Sequence, residues 1–131
     1  MLVAEDEPMV RGLTRRTLEL HGYRVVEAVD GRAAVEMLES LGGGVDLVIT
    51  DAVMPELSGR GLGEIIRARW PEIPVIYMSG YPGKEVVDRG LVSPDAPFVA
   101  KPFSPEALAR RTREVLDAAR GLPGGVPERS R

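Results

Sequence analysis

The chain reads as one α/β domain built on a doubly wound, five-stranded parallel sheet. Three observations point there. Short β-like apolar runs alternate with helix-like stretches along the chain, the pattern of a parallel sheet with helices on both faces. The most unusual polar residues fall where the expected strands end: Glu5 and Asp6 after Leu2-Val3-Ala4, Asp51 after Leu47-Val48-Ile49-Thr50, Ser79 after Val75-Ile76-Tyr77-Met78, and Lys101 after Phe98-Val99-Ala100. And 131 residues with 44% hydrophobic content suit a single domain with a real core.

Pro8 to His21 carries Val10, Leu13, Thr14, Thr17 and Leu18 at helical spacing, and Gly22 stops it. Arg24 to Ala28 reads as the second strand, and Asp30-Gly31 opens a helix whose inner stripe is Ala34, Val35, Leu38 and Leu41. Gly42-Gly43-Gly44 ends it before the third strand. Met54 to Gly59 is a loop, Ser58 caps the third helix, and Leu62, Ile65 and Ile66 face inward. Pro71 to Pro74 precedes strand four, and Gly83 to Leu91 is a short fourth helix bounded by glycines. The fifth helix has Ser104 as N-cap, Pro105 in the first turn, Glu106 at the positive dipole end, and Leu108, Thr112, Val115, Leu116 and Ala119 inward. The domain is expected over 1–120, with 121–131 a flexible, glycine- and proline-rich tail. The expected strand order is 2-1-3-4-5, a flavodoxin-like arrangement.

Composition narrows the function. A net charge of -3 argues against nucleic-acid binding through a positive field. Without cysteine there is neither a thiolate nucleophile nor a zinc-thiolate site, and a reducing cytoplasm is the compatible setting. No apolar run approaches the ~20 residues that span a bilayer, and no basic-then-apolar leader precedes Glu5, so no membrane contact is expected. The chain opens almost directly on its first strand, as a stand-alone domain or one cut from a longer protein would.

Ligands of open parallel sheets bind beyond the carboxyl ends of the strands. Three carboxylates, a hydroxyl and an ammonium therefore converge on one pocket, a set suited to a hard cation and a phosphoryl group. The ordered motifs Glu5-Asp6, Thr50-Asp51-Ala52-Val53-Met54-Pro55 with Ser58-Gly59, Met78-Ser79-Gly80 and Lys101-Pro102-Phe103 resemble the receiver domain of bacterial response regulators, over about Leu2 to Ala119. With Tyr81, Gly90-Leu91 and Pro94, they are most similar to receivers at the C-terminus of hybrid sensor histidine kinases.

The resemblance implies specific roles. Asp51 is the phosphoacceptor for a phosphohistidine of a histidine kinase or phosphotransfer partner. Mg²⁺, with Mn²⁺ as a substitute, is held by Glu5, Asp6, Asp51 and the Val53 carbonyl, a hard-oxygen set. Lys101 and Ser79 contact the phosphoryl oxygens, with backbone N–H groups of Ala52 and Gly80 as further donors. Lys101-Pro102 is a cis peptide. Ser79 and Phe98 form a switch acting on the face of the fourth helix, fifth strand and fifth helix, which is also a possible homodimer surface. Val53 and Tyr81 flank the path of hydrolytic water and predict slow loss of the phosphoryl group. Glu5 stands where Asp is more frequent in the family, Ser79 where Thr is common, and Phe98 where Tyr is; none removes a chemical requirement.

Several residues have plainer readings. His21 serves a helix end or is simply exposed, Trp70 anchors another helix end, and Arg110, Arg111, Arg113 and Arg120 form a solvated face of the fifth helix, with kinase docking as the minor reading. A flavin carrier would need a phosphate-cradling loop where Glu5-Asp6-Glu7 stands. An aspartyl phosphohydrolase would want a second acid at Val53. A pseudo-receiver, acting only as an interaction module, would lack the acid, the hydroxyl or the lysine. The expectation is a signalling switch rather than a turnover enzyme, its output carried by a partner or a fused kinase.

Overall fold

The computed structural model describes residues 1–54, 56–80, 87, 89–90 and 96–119. Among the described residues the elements succeed one another as β1 (Leu2–Ala4), α1 (Pro8–Leu20), β2 (Val26–Ala28), α2 (Gly31–Ser40), β3 (Val48–Asp51), α3 (Gly59–Arg69), β4 (Val75–Ser79), β5 (Phe98–Ala100) and α4 (Pro105–Ala119). Here α4 is the fifth helix of the sequence-based expectation. The expected helix over Gly83 to Leu91 and the tail over 121–131 lie outside the described residues, apart from positions 87, 89 and 90. The five strands pair in the order β2-β1-β3-β4-β5, and every pair is parallel, as expected.

Strand alternation divides the interior in two. Leu2, Ala4, Val48 and Ala28 pack with Ala34 and Leu38 of α2 and Leu62 and Ile66 of α3. Val3, Ile49, Ile76, Met78 and Val99 pack with Leu18 of α1 and Leu108, Val115 and Leu116 of α4. Successive strand residues point to opposite faces, so a sheet with apolar residues on both faces must be covered twice.

The helix caps are those expected from the sequence. Asp30 Oδ1 accepts from the Ala33 N–H at 2.8 Å, Ser58 Oγ from Gly61 at 3.1 Å, and Ser104 Oγ from Ala107 at 3.0 Å. Gly22 takes φ +89 just beyond α1, the left-handed conformation glycine tolerates. His21 ends α1 with Nδ1 2.9 Å from the Thr17 carbonyl oxygen, a structural role. Trp70 caps α3, its ring beneath the Arg69 guanidinium at 4.4 Å and against Gly43, where a side chain would collide with the indole.

Four expectations need correction. Strand two begins at Val26 rather than Arg24. Leu13 is exposed: the buried stripe of α1 is Thr14, Thr17 and Leu18, and Leu13 lies about a quarter turn from its centre. Leu41 and Ala119 are exposed because Leu41 is the C-cap residue just beyond α2 and Ala119 is the last residue of α4. The inner face of α4 instead includes Asp117, paired with Arg113 at 3.2 Å.

Candidate functional site

The strand order sets the site. β1, β3, β4 and β5 are consecutive neighbours, so the residues at or just beyond their carboxyl ends are brought side by side. One oxygen each from Glu5, Asp6 and Asp51 lies within 4.8 Å of the other two. Lys101 Nζ reaches over from the end of β5 and donates to Glu5 Oε1 at 2.8 Å and to Asp51 Oδ2 at 3.1 Å. Ser79 ends β4 and is buried, and its carbonyl accepts from the Lys101 N–H at 2.7 Å. The Lys101-Pro102 peptide is cis. Gly80 is exposed, and the position of its absent side chain is open space.

The three carboxylates are unequal. Glu5 is fully buried, Asp51 is 8% exposed, and Asp6 faces solvent. Glu5 Oε2 also accepts from the Glu7 N–H at 3.1 Å. A layer behind it was not singled out from the sequence. Arg11 on α1 donates to the Glu5 carbonyl at 2.8 Å and pairs with Glu27 of β2 at 3.0 Å, and Arg15 joins Glu27 at 2.7 Å. Glu27 alone breaks the apolar character of β2, one strand from the acidic pair, and that was the available signal.

The backbone around Asp51 corrects one expectation. The Ala52 N–H donates to the Met78 carbonyl at 2.8 Å, completing the β3–β4 ladder, so it does not face the pocket. The Val53 N–H is the one directed at the carboxylate, 3.4 Å from Asp51 Oδ1. The Ala52 carbonyl in turn accepts from the Gly59 N–H at 3.1 Å, tying the start of α3 to the loop that follows Asp51. Phe98 is partly buried, packed on a small cluster of Ala52 and Tyr77. It also lines a groove of about 350 Å³ with Ala100, Pro102, Ala107, Arg110 and Arg111. Tyr81 and Pro94 lie outside the described residues.

Burial dominates the electrostatics of Glu5. It pushes the carboxyl up to about 7, opposed by the Lys101 and Glu7 hydrogen bonds and reinforced by the Asp51 charge. Burial alone would pull the Lys101 ammonium down, but its bonds to Glu5 and Asp51 outweigh this and hold its pKa above the ordinary value. One lysine does not neutralise three carboxylates. Oxygen donors at this spacing, with surplus negative charge, fit a hard divalent cation such as Mg²⁺.

This has a pH signature in metal-free protein. Glu5 titrates near 7 folded but near 4.5 unfolded, so the folded state holds the extra proton between those values. The contribution is fully present below the unfolded pKa and is lost as pH rises through about 7. In EDTA, unfolding stability should fall by on the order of 3 kcal/mol from about pH 5 to about pH 8. Urea midpoints across that range measure it, and the slope should flatten in Glu5→Gln.

Among the described residues no helix is long and apolar enough to cross a membrane. The response regulator receiver domain family matches residues 1–113. The sensor kinase CckA of Brucella abortus is 42% identical over 119 residues, which cover 89% of this chain and 12% of that kinase. A receiver protein from Sinorhizobium medicae superposes with a TM-score of 0.78 at 30% identity, covering 90% of this chain and 94% of that one. The receiver domain from the hybrid histidine kinase CckA does so with a TM-score of 0.73 at 34% identity, covering 88% and 96%. That similarity accords with the hybrid-kinase resemblance of the motifs. The chain belongs to the response regulator receiver domains of two-component signalling.

Proposed function

We propose that this receiver takes a phosphoryl group onto Asp51 from a phosphohistidine of a histidine kinase or a histidine phosphotransfer protein. The observation that carries the reading is the bridge from Lys101 to both Glu5 and Asp51 beside the three-carboxylate cluster. An Asp51 oxygen attacks phosphorus as the bond to the histidine nitrogen breaks, and the imidazole leaves with its electron pair. Mg²⁺ or Mn²⁺, held by Glu5, Asp6, Asp51 and the Val53 carbonyl, would offset the repulsion between two anionic reactants. Lys101 would shift from the carboxylates to the transferred oxygens, where a fixed ammonium favours the charge of the transition state. Ser79 would donate its hydroxyl, and the Val53 and Gly80 N–H groups would supply the remaining bonds.

The phosphorylated state is read through Ser79 and Phe98. Ser79 moves toward the new phosphoryl group, and Phe98 turns into the space it leaves. That biases the groove along β5 and α4 between two populations. The same face, with the fourth helix expected from the sequence, is a surface for homodimers or output partners. Val53 is 51% exposed and apolar at the pocket mouth, so it cannot orient hydrolytic water, and the phosphoryl group is expected to outlast seconds. The domain acts as a signalling module in the cytoplasm and not as a turnover enzyme. The pseudo-receiver reading is disfavoured because acid, hydroxyl and lysine are all present.

Incubation with acetyl phosphate and Mg²⁺, followed by intact mass, tests the assignment. One phosphoryl adduct is expected, absent without Mg²⁺ and absent in Asp51→Ala. An adduct that survives in Asp51→Ala would move the acceptor elsewhere.

A further inference from the structure

Tyr77 lies directly beside the proposed switch and has no part in the phosphoryl chemistry. In the parallel register it stands between Thr50 of β3 and Phe98 of β5. Alternation turns Ile76 and Met78 toward α1 and α4, and Tyr77 to the other face, with Ala52 and Phe98. Its ring therefore connects the residue after the phosphoacceptor to the switch aromatic. On the side of Thr50 and Ala52 it meets residues that are fully buried.

The other side is different. The hydroxyl sits in a notch on α3 that exists because residue 63 is glycine; a Cβ there would collide with the Tyr77 oxygen and come within 3.0 Å of the ring. Beside the notch is a cavity of about 210 Å³, walled by Gly63, Ile66, Ile73, Val75 and Pro97, with Arg67 also lining it. Close-packed interiors resist gradual deformation, so a side chain that must yield does so into existing free volume. An inward turn of Phe98 presses on Tyr77, and the free volume next to Tyr77 lies along α3. The last turn of α3 leads to Trp70, whose N–H donates to the Ile66 carbonyl at 2.7 Å.

We infer that Tyr77 is a positioning residue of the switch, passing the movement of Phe98 through the Gly63 notch and its adjoining cavity to α3, so that the Arg67–Trp70 end of this helix is a second output of phosphorylation. This rests on the proposed phosphorylation of Asp51. The chemistry at the acidic pocket does not require Tyr77, and the relay does.

Fluorine NMR of the full chain labelled with meta-fluorotyrosine reads the relay directly. Tyr23, Tyr77 and Tyr81 contribute three resonances, assigned by Tyr23→Phe and Tyr81→Phe. With Mg²⁺ and beryllofluoride as the phosphoryl mimic, the Tyr77 resonance should shift in the native chain and stay in place in Phe98→Ala. The fluorescence of Trp70, the only tryptophan, should respond to the mimic in the native chain and lose that response in Tyr77→Leu, which still forms the Asp51 adduct by intact mass. If the adduct forms while the Tyr77 resonance stays put, or if Tyr77→Leu keeps the full Trp70 response, the relay is wrong and the phosphoacceptor assignment stands. If no adduct forms on the native chain by any donor, both fall together.

Discussion

Lys101→Met is expected to slow phosphorylation of Asp51 by acetyl phosphate about 10²–10³-fold, the usual cost of removing one fixed charge from a developing anion. Its effect on metal affinity should have the opposite sign. The ammonium stands 2.8 Å from Glu5 and 3.1 Å from Asp51, where it competes with a cation for the same oxygens. Removing it should tighten Mg²⁺ binding, by roughly tenfold for each ~1.4 kcal/mol of repulsion relieved. Metal-free stability should move the other way again. The side chains of Lys101, Glu5 and Asp51 are 17%, 0% and 11% exposed, so the variant leaves buried carboxylates without their cation. Such a loss costs about 3–5 kcal/mol, and less below neutral pH, where Glu5 can take up a proton. Calorimetric Mg²⁺ titration, adduct half-times and urea midpoints measure the three effects. A variant that phosphorylates at the native rate would remove Lys101 from the chemistry.

Gly59→Ala is expected to damage both stability and phosphorylation, although residue 59 never touches the phosphoryl group. A Cβ there would collide with the Asp51 carbonyl oxygen and come within 2.8 Å of the Ala52 Cα. Both obstacles are backbone, so no flexible side chain can yield. Either α3 is pushed outward, losing the Gly59 N–H bond to the Ala52 carbonyl, or the Asp51 backbone shifts. Overpacking of this kind costs about 1–3 kcal/mol or more. A displacement of ~1 Å at a reacting group can cost on the order of 10²-fold in rate. Gly12→Ala is the control: its Cβ would meet only the end of the Arg16 side chain at 3.6 Å, within α1. There, alanine should raise stability by about 0.5–1 kcal/mol and leave adduct formation unchanged. Adduct half-times beside urea midpoints separate misplacement from general unfolding. A Gly59→Ala variant as stable and as quick as the native chain would show that the loop does not depend on this contact.

Local chemistry in this chain was legible wherever one segment contained both partners. Asp30, Ser58 and Ser104 each cap a helix because the acceptor and the N–H it serves are three residues apart. The convergence of Glu5, Asp6, Asp51 and Lys101 was equally readable, since strand ends in a parallel sheet share one edge. Pairings between distant segments were not readable. The Arg11–Glu27 support behind Glu5 joins a helix to a neighbouring strand, and nothing in either segment names the other. Leu13 had the right residue type for the inner stripe, but its exposure depends on how α1 is rotated against the sheet.

Periodicity, caps and strand punctuation are properties of single segments. The order of elements, the strand ends that carry the chemistry and the identity of the pocket's groups were therefore already present in the linear chain. Which donors remain available, and how the charges are balanced, emerged only on folding. The Ala52 N–H is consumed by the Met78 carbonyl and the Val53 N–H is left to face Asp51. Glu5 is buried far enough to hold its proton near neutrality, and Tyr77 rests in a notch that a glycine on another element provides. Hydrogen-bond competition, desolvation and free volume depend on atoms that only the folded chain brings together.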